Sequence, residues 1–344
     1  MNAALQGWLE SLGAHVEDGK VQDFGDPRGE LEAARGRSVL ADLSHLGVLD
    51  FTGADAESFL QGQLSCDVQA MDADSSSYGS YCTPKGRMLA DFLLWHAAGG
   101  FRMALSRGLV APIQKRLRMY VLRSKVQVAD ASDAVALLGA SGDAASAALG
   151  SLVAEVPQRA GEARPFGEGG TLVALGSARY LLAVPMDGAR DVWTGLAARL
   201  RPVGTPCWEW LDIRNGVPLV TARTQEQFVP QMANLELIGG VNFNKGCYPG
   251  QEIVARTQYL GKVKRRMFLA HLESEAPPMP GEEIFSDDLP GQASGMVVSA
   301  QPAPEGGYDL LAVVQLSSRE SSTVHLRTPE GPVLRFLELP YAVA

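Results

Sequence analysis

The amino-acid sequence predicts an α+β protein in which two ferredoxin-like units precede a small C-terminal all-β barrel or sandwich. Three observations carry this prediction. The chain has 344 residues, which is too long for one compact core. An element order of β-α-β-β-α occurs twice between residues 47 and 200. After residue 266 helical periodicity ends, and short apolar runs alternate with Pro- and Gly-rich turns.

The first unit follows from hydrophobic periodicity. Its predicted elements are a strand at 47–53, a helix at 54–64, strands at 87–95 and 101–105, a helix at 106–123 and a strand at 125–129. Gly99 and Gly100 supply the turn between the paired strands. Ser106 is expected to cap the second helix, whose apolar residues recur every four positions from Leu109.

The second unit repeats this order. Its predicted elements are a strand at 134–140, a helix at 143–152, strands at 171–175 and 179–185, and a helix at 189–200. Two such units in tandem are typical of ferredoxin-like domains. The remaining segment, after residue 266, predicts a small all-β barrel or sandwich of short strands with no helix.

Composition and charge exclude several classes of protein. The formal net charge is 30 − 39 = −9, which argues against a general nucleic-acid coat protein. No signal peptide and no run of about 20 apolar residues is found, so we expect a cytosolic protein with no membrane partner. The four cysteines form no CxxC motif and the histidines are scattered, which favours free thiols and no metal site.

The densest chemistry lies in NKGCYPGQEIVARTQYLGKVKRRM (244–267). Gly246 and Gly250 permit backbone angles closed to other residues, and a helix can begin directly after Gly250. Cys247 would then lie beside a helix N-terminus and next to the ammonium of Lys245, and both favour a reactive thiolate. The alternative is a small buried side chain, because free cysteine is among the most buried residue types.

Cations form two further candidate sites. Lys85 and Arg87 surround a glycine in TPKGR (83–87), which predicts either a turn that binds a carboxylate or phosphate or an ordinary polar turn. The basic residues after Cys247 could meet an anionic ligand or RNA, or could form solvated surface. They are Arg256, Lys262, Lys264, Arg265 and Arg266.

Two tryptophans suggest a stacking surface for a planar ligand. Trp208 and Trp210 flank Glu209 on a predicted helix, so at most one ring is expected to point fully inward. An exposed ring would form a platform for a flat heterocycle, whereas a buried one would anchor the core. Neither GxGxxG nor a P-loop motif is present, so a nucleotide-binding fold of either type is unsupported.

Several stretches together carry a family resemblance. They are LDFTGADAESFLQGQLSCDV (49–68), YCTPKGRMLADF (81–92), IRNGVPLV (213–220), FVPQMANLELIGGVNFNKGCYPGQEIVAR (228–256) and GKVKRRM (261–267). In this order they resemble the YgfZ branch of the folate-binding YgfZ/GcvT family, from about residue 40 to the C-terminus. KGCYPGQE (245–252) matches every fixed position of the branch signature K-G-C-Y-x-G-Q-E.

The resemblance implies a GcvT-like three-domain ring with a central tetrahydrofolate site. The first folate-binding α+β domain would comprise 1–130 with 207–265, the second ferredoxin-like domain 131–206, and the β-barrel 266–344. It also implies support of iron–sulfur cluster maintenance or assembly, and thereby of tRNA modification, with iron–sulfur enzymes or assembly factors as partners. The signature cysteine, here Cys247, is required in that role.

The resemblance and the local chemistry together give the candidate site residues. Candidate catalytic residues are Cys247, Lys245 and Asp91. Candidate folate-binding residues are Trp208, Lys85, Arg87, Tyr248, Gly250, Gln251, Glu252 and Arg256.

Two departures from the family pattern affect the expected chemistry. A second folate-contacting tryptophan of the family falls at about Leu46, which weakens the expected pterin stack. The paired Asp-Asp of the glycine-cleavage aminomethyltransferases corresponds to Ala90-Asp91, with one carboxylate missing. Aminomethyl transfer is therefore the alternative function, with Asp91 as its lone carboxylate. A direct RNA-binding module that uses the cations of 102–125 and 256–266 is a third reading.

Overall fold

The structure is a computed structural model that describes residues 1–259, 261 and 263–343. The chain divides into two compact units. The first contains Met1–Leu60, Val68–Ser77 and Leu93–Trp208, and the second contains Gln61–Asp67, Tyr78–Phe92 and Glu209–Ala344. The three-domain boundaries expected from the sequence stay a prediction.

The first two helices begin at capping residues that the sequence supplies. In the described residues they are α1 (Ala3–Ser11), α2 (Pro27–Gly36), α3 (Ala56–Gln61), α4 (Val110–Val121), α5 (Ala145–Leu149), α6 (Ala189–Ala197), α7 (Thr205–Arg214), α8 (Gln251–Tyr259) and α9 (Leu316–Ser321). The Asn2 side chain caps α1 by accepting hydrogen bonds from the Ala4 and Leu5 N–H groups. Asp26 caps α2 in the same way, immediately before Pro27.

Among the described residues, the strand pairs that have an assigned register are antiparallel, apart from one parallel pair. The strands are β1 (His15–Glu17), β2 (Lys20–Asp23), β3 (Val39–Asp42), β4 (Leu46–Thr52), β5 (Ser76–Cys82), β6 (Met88–Ala97), β7 (Gly100–Ser106), β8 (Gln127–Asp130), β9 (Val135–Ser141), β10 (Ala163–Phe166), β11 (Gly170–Gly176), β12 (Arg179–Pro185), β13 (Arg201–Val203), β14 (Arg265–Leu272), β15 (Glu283–Ser286), β16 (Gly295–Pro302), β17 (Tyr308–Gln315), β18 (Val324–Leu326) and β19 (Arg335–Leu337).

The second predicted repeat forms a six-stranded sheet in the first unit, in the order β10-β11-β12-β9-β3-β13. The predicted strands and helices of this repeat are confirmed, with shorter helices than expected. β3 and β13 were not predicted, and they form the parallel pair. Apolar residues such as Leu138, Leu182 and Trp193 make its core. The sheet therefore recruits strands that are distant in sequence.

The first predicted repeat is also confirmed, with one correction. β6 pairs with β7 as predicted, and β4 pairs with both β7 and β8, which the sequence did not specify. Ser106 does not cap α4: its side chain makes no capping hydrogen bond, and a 3₁₀ turn at Arg107–Leu109 separates it from the helix. α4 buries Val110, Ile113 and Leu117, so the apolar stripe still sets the helix orientation.

The C-terminal segment forms a curled six-stranded sheet in the second unit, in the order β18-β15-β16-β17-β14-β19. Its inner face is apolar, with Leu310, Ala312 and Val314 fully buried. The expectation that this segment contains no helix is wrong for α9. This short helix is fixed by its buried Ser318, whose hydroxyl bonds Asp288 and the Ser286 hydroxyl.

Candidate functional site around Cys247

Cys247 is the exposed cysteine of this chain, and Cys66, Cys82 and Cys207 are buried. Burial raises the pKa of the Cys82 thiol to about 12, and it raises that of Cys207 to about 12 as well. Both thiols are therefore neutral near pH 7. The sequence left open whether Cys247 is buried or accessible, and the structure decides for accessibility.

The helix predicted after Cys247 is confirmed as α8, which begins at Gln251. Gly250 has a φ of +83°, and a Cβ there would lie 2.5 Å from the Thr83 carbonyl oxygen and 2.8 Å from the Gly86 Cα. Gly86, with a φ of +71°, in turn packs on Ile253. Glycine at position 250 is thus required by conformation and by close packing of the 83–87 turn on the helix start.

The backbone at Gly246 is different from the one expected. Its φ is not positive, and a Cβ built there would meet no atom within 4 Å. The expectation that this glycine is needed for special backbone angles is therefore wrong. Gly246 lies beside Cys247 on an open, exposed surface.

Lys245 is buried and bound to backbone oxygens. Its Nζ donates hydrogen bonds to the carbonyl oxygens of Gln61, Leu64 and Cys66 at 2.8, 2.6 and 2.7 Å. The ammonium also lies 5.3 Å from the centre of the Tyr248 ring. Burial lowers the pKa of Lys245 to about 8. Because three carbonyls engage its three protons, activation of the Cys247 thiol by this ammonium stays a prediction.

The inner side of the Cys247 loop is formed by Tyr248 and Gln251. Tyr248 is buried, and its hydroxyl has no hydrogen-bond partner among the described residues. Burial raises the pKa of this phenol. The Gln251 side chain donates to the Lys245 carbonyl at 3.4 Å, which closes the loop on itself. The side chains of Lys245 and Tyr248 therefore lie inside, while Cys247 is exposed.

The segment that precedes the loop is hydrogen-bonded to residues 61–67. The Ser65 hydroxyl donates to the Gly240 carbonyl at 2.6 Å, and the Asn242 N–H donates to the Ser65 carbonyl at 2.9 Å. The Asp67 carboxylate accepts from both the Gln61 and Asn242 side chains. Sequence reasoning missed these contacts, because three of the four join residues that are distant in sequence and two of the four use backbone carbonyls, which carry no side-chain signal.

A second set of contacts that sequence reasoning missed connects α8 to the segment around Gln231. The fully buried Gln231 donates through its side chain to the Val254 carbonyl at 2.7 Å. Its own carbonyl accepts from Arg266, and Arg266 forms a buried ion pair with Glu236. These residues lie in two stretches that carry the family resemblance, 228–256 and 261–267, and that resemblance was the signal that could have found them.

The candidate cations differ in their availability. Lys85 and Arg256 are exposed, as is the acidic candidate Glu252. Arg87 is half-buried and donates to the Gln227 carbonyl at 2.7 Å. Lys85 and Arg256 are therefore the candidates that can still receive an anion.

The basic cluster predicted after Cys247 is not a continuous cationic surface. Arg266 is buried in its pair with Glu236, and Arg265 donates to the Ala293 carbonyl at 3.3 Å. Lys264 is exposed, and Lys262 lies outside the described residues. The prediction is wrong for Arg266, because this side chain is buried and its charge is paired with Glu236.

Asp91 is a buried carboxyl that serves the backbone. Its Oδ1 accepts the Val220 N–H at 2.7 Å. Burial raises the pKa of Asp91 to about 7, and the hydrogen bond from Val220 opposes this shift. The residue thus fixes the 217–220 segment in this structure, and its catalytic role stays a prediction.

Trp208 lies in the first unit and is 2% exposed. A Cβ on Gly139 would lie 2.5 Å from its ring, and the Arg179 guanidinium is 5.9 Å from the ring centre. Trp210 is also buried, and its Nε1 donates to Asp309 at 2.9 Å. The expectation that at most one ring points inward is wrong, because both rings are buried. Folate stacking on Trp208 stays a prediction.

The cations of residues 102–125 are in part engaged within the first unit. Arg102 pairs with Asp50 at 2.9 Å, Arg107 pairs with Asp133 at 3.0 Å, and the Arg118 Nε donates to the Val128 carbonyl. The exposed cations Lys115, Arg123 and Lys125 remain at the surface. The surface that the RNA-binding alternative requires is therefore smaller than the sequence suggests.

Comparison with known proteins gives the family. A profile of the GCVT N-terminal domain matches residues 21–245, more than half of the chain. A tRNA-modifying protein YgfZ of Sodalis glossinidius is 32% identical over 322 residues, covering 92% of this chain and 97% of the relative. The chain belongs to the YgfZ branch of the YgfZ/GcvT family. A protein of the same name from Yersinia pseudotuberculosis is 31% identical, and the match covers 89% of this chain and 93% of the relative. One from Edwardsiella ictaluri is 32% identical, and the match covers 86% of this chain and 89% of the relative.

The fold is confirmed by a solved structure. The glycine cleavage system aminomethyltransferase T of Bartonella henselae matches with a TM-score of 0.82 at 18% identity, covering 99% of this chain and 97% of that chain. The GcvT-like α+β fold implied by the family resemblance is therefore correct. Among the described residues, no helix has the length and apolarity to cross a membrane, and no three His, Cys, Asp or Glu side chains are grouped to hold a metal ion.

Proposed function

We propose that this YgfZ-branch protein binds a tetrahydrofolate and supports iron–sulfur cluster maintenance, on which the modification of certain tRNAs depends. The thiol of Cys247 is its working group, and iron–sulfur enzymes or assembly factors in the cytosol are its partners. The name of the relatives, tRNA-modifying protein, supports the link to tRNA modification. The folate and iron–sulfur parts rest on the family resemblance.

The observation that carries the proposal is the exposure of Cys247 on a loop fixed at both ends. Lys245 is bound to three carbonyls on one side, and Gly250 packs against the 83–87 turn on the other. An accessible thiol in a defined position can react with an electrophile, or can bind iron or sulfur transiently. One thiolate is too few to hold a cluster alone, so a partner must supply the remaining ligands.

The described residues fit the anionic part of a folate better than its ring. Lys85 and Arg256 are exposed, and the segments that carry them pack together through Gly86 and Ile253, so they can bind the glutamate carboxylates. Trp208, by contrast, is enclosed and presents no open ring face. When bound, the folate would supply one-carbon or redox chemistry.

Aminomethyl transfer is the less supported alternative. Its lone candidate carboxylate, Asp91, is buried and engaged with the Val220 N–H. A carboxyl held in this way supports the backbone and has no access to a folate nitrogen without rearrangement. Loss of methylene-tetrahydrofolate formation in Asp91→Asn would favour the transferase and contradict the accessory role.

The test replaces Cys247 by serine in cells that lack the chromosomal copy. We expect thiolated tRNA nucleosides, measured by mass spectrometry, to fall to the level of the deletion strain, because serine cannot form a thiolate. The matched control is Asn244→Ala, an exposed neighbour on the same loop, which should retain the wild-type level. Wild-type nucleoside levels in Cys247→Ser would remove the thiol from the mechanism.

A further inference from the structure

Three backbone carbonyls of the second unit converge on one point. The oxygens of Gln61, Leu64 and Cys66 all lie within 2.8 Å of the Lys245 Nζ. They come from one short segment at the end of α3, so a single stretch of chain supplies the whole site. We call this group of oxygens, with residues 61–66, the carbonyl cradle. Its geometry suits a compact cation with three donors.

The surroundings of the cradle favour a positive charge. The Tyr248 ring lies on another side of the ammonium, with the centroid 5.3 Å from the Nζ. Burial lowers the pKa of the ammonium, and the electrostatic effects of Cys66 and Asp67 oppose this shift. Lys245 forms no ion pair with a carboxylate among the described residues, so its partners are carbonyl dipoles and a ring face.

We infer that Lys245 is the positioning residue of Cys247, and that its tethered ammonium acts by filling the carbonyl cradle. The inference rests on the proposed function, because it assigns to Lys245 the fixing of the loop that presents the working thiol. Gly246 is exposed with open space at its Cβ position and Cys247 is exposed, so on the N-terminal side of Cys247 the loop is held through the Lys245 side chain. Removal of the ammonium takes away its three hydrogen bonds to these oxygens and frees one end of the loop.

The primary experiment is hydrogen exchange of the 244–250 amides in the purified full-length protein. In Lys245→Ala we expect exchange to accelerate about tenfold or more, because three charge-assisted hydrogen bonds are lost. Lys245→Arg should also fail to protect the loop, because a planar guanidinium cannot direct three N–H groups to one compact site. Protection by arginine equal to that of lysine would show that charge alone suffices and would overturn the inference.

Chemical rescue separates filling of the cradle from a general loss of stability. Ethylammonium added to Lys245→Ala should restore much of the protection at 244–250, since it carries the same three donors. Tetramethylammonium has the charge but no N–H group, and it should have no effect. Equal effects of the two ions, or none from ethylammonium in a folded variant, would contradict the inference.

A measurement on the unmodified protein covers the case in which Lys245→Ala does not fold. Nitrogen-15 NMR of the lysine ammonium groups should show one slowly exchanging, rotationally restricted signal that is absent in Lys245→Arg. Absence of such a signal from the wild type at pH 6 would overturn the inference. Cys247→Ser should keep full loop protection, so failure of the proposed function in cells and failure of the cradle are seen in different experiments.

Discussion

At the scale of single residues, side chains of the same type in the second unit have different roles, because their burial and hydrogen-bond partners differ. Cys247 is exposed while Cys66 and Cys82 are buried. Lys85 is free to meet an anion at the surface, whereas Lys245 fills the carbonyl cradle. Residue type therefore indicates which chemistry is available, and the environment decides whether the residue supports the fold or meets a ligand.

Asp91 gives a prediction about pH. Its pKa lies at about 7, above the ordinary 3.8, so between these values the native state holds a proton that the unfolded state has released. The stabilisation is present below the ordinary value and is lost as pH rises through 7. Asp91→Asn keeps an acceptor for Val220 without a charge. We expect the variant to be the more stable protein at pH 8, by about 2 kcal/mol.

Urea unfolding at pH 4, 6 and 8 measures this difference. The gap between Asp91→Asn and the wild type should widen as pH rises. Glu330→Gln, at an exposed carboxylate, is the control and should leave the pH dependence unchanged. A constant gap across this range would show that Asp91 does not take up a proton on folding.

At the scale of secondary-structure elements, the site depends on two tight approaches rather than on long helices. The start of α8 contacts the 83–87 turn through Gly250 and Gly86, and the buried Gln231 side chain binds the Val254 carbonyl. α8 itself is only nine residues long, so its position must come from these contacts and not from intrinsic helix stability.

Gly250→Ala tests the contact between turn and helix. A positive φ and a Cβ 2.5 Å from a carbonyl oxygen give two independent penalties. We expect a loss of about 2 kcal/mol or more in the free energy of unfolding, read from urea denaturation. Gly246→Ala has open space and no positive φ, so it should change stability by less than about 0.5 kcal/mol. If Gly250→Ala lost no more stability than Gly246→Ala, the 83–87 turn would have moved to accommodate the added methyl group.

At the scale of the whole molecule, both compact units bury their apolar residues and leave few reactive groups at the surface. Three of the four thiols lie in their interiors. The net charge of −9 coexists with exposed cations at Lys85 and Arg256, so an anionic ligand is attracted by local charge and not by the average. The reactivity of the chain should accordingly be concentrated at Cys247.

Thiol titration with a chromogenic disulfide reagent checks this distribution. We expect one rapidly reacting thiol per chain in the native protein and four in denaturant, because burial protects Cys66, Cys82 and Cys207. Cys247→Ser should abolish the rapid phase and leave three thiols in denaturant. A second rapid thiol in the native protein would show that one of the buried cysteines becomes accessible.

The sequence by itself determined the repeated β-α-β-β-α order, the C-terminal strands, the helix after Cys247 and the family. Periodicity and the KGCYPGQE motif are local patterns, and local patterns can be recognised from the sequence without knowing the fold. Only the tertiary structure decided that Lys245 fills the carbonyl cradle and that Trp208 is enclosed. Pairing between distant segments, such as β3 with β13, and burial both depend on contacts that no local pattern encodes.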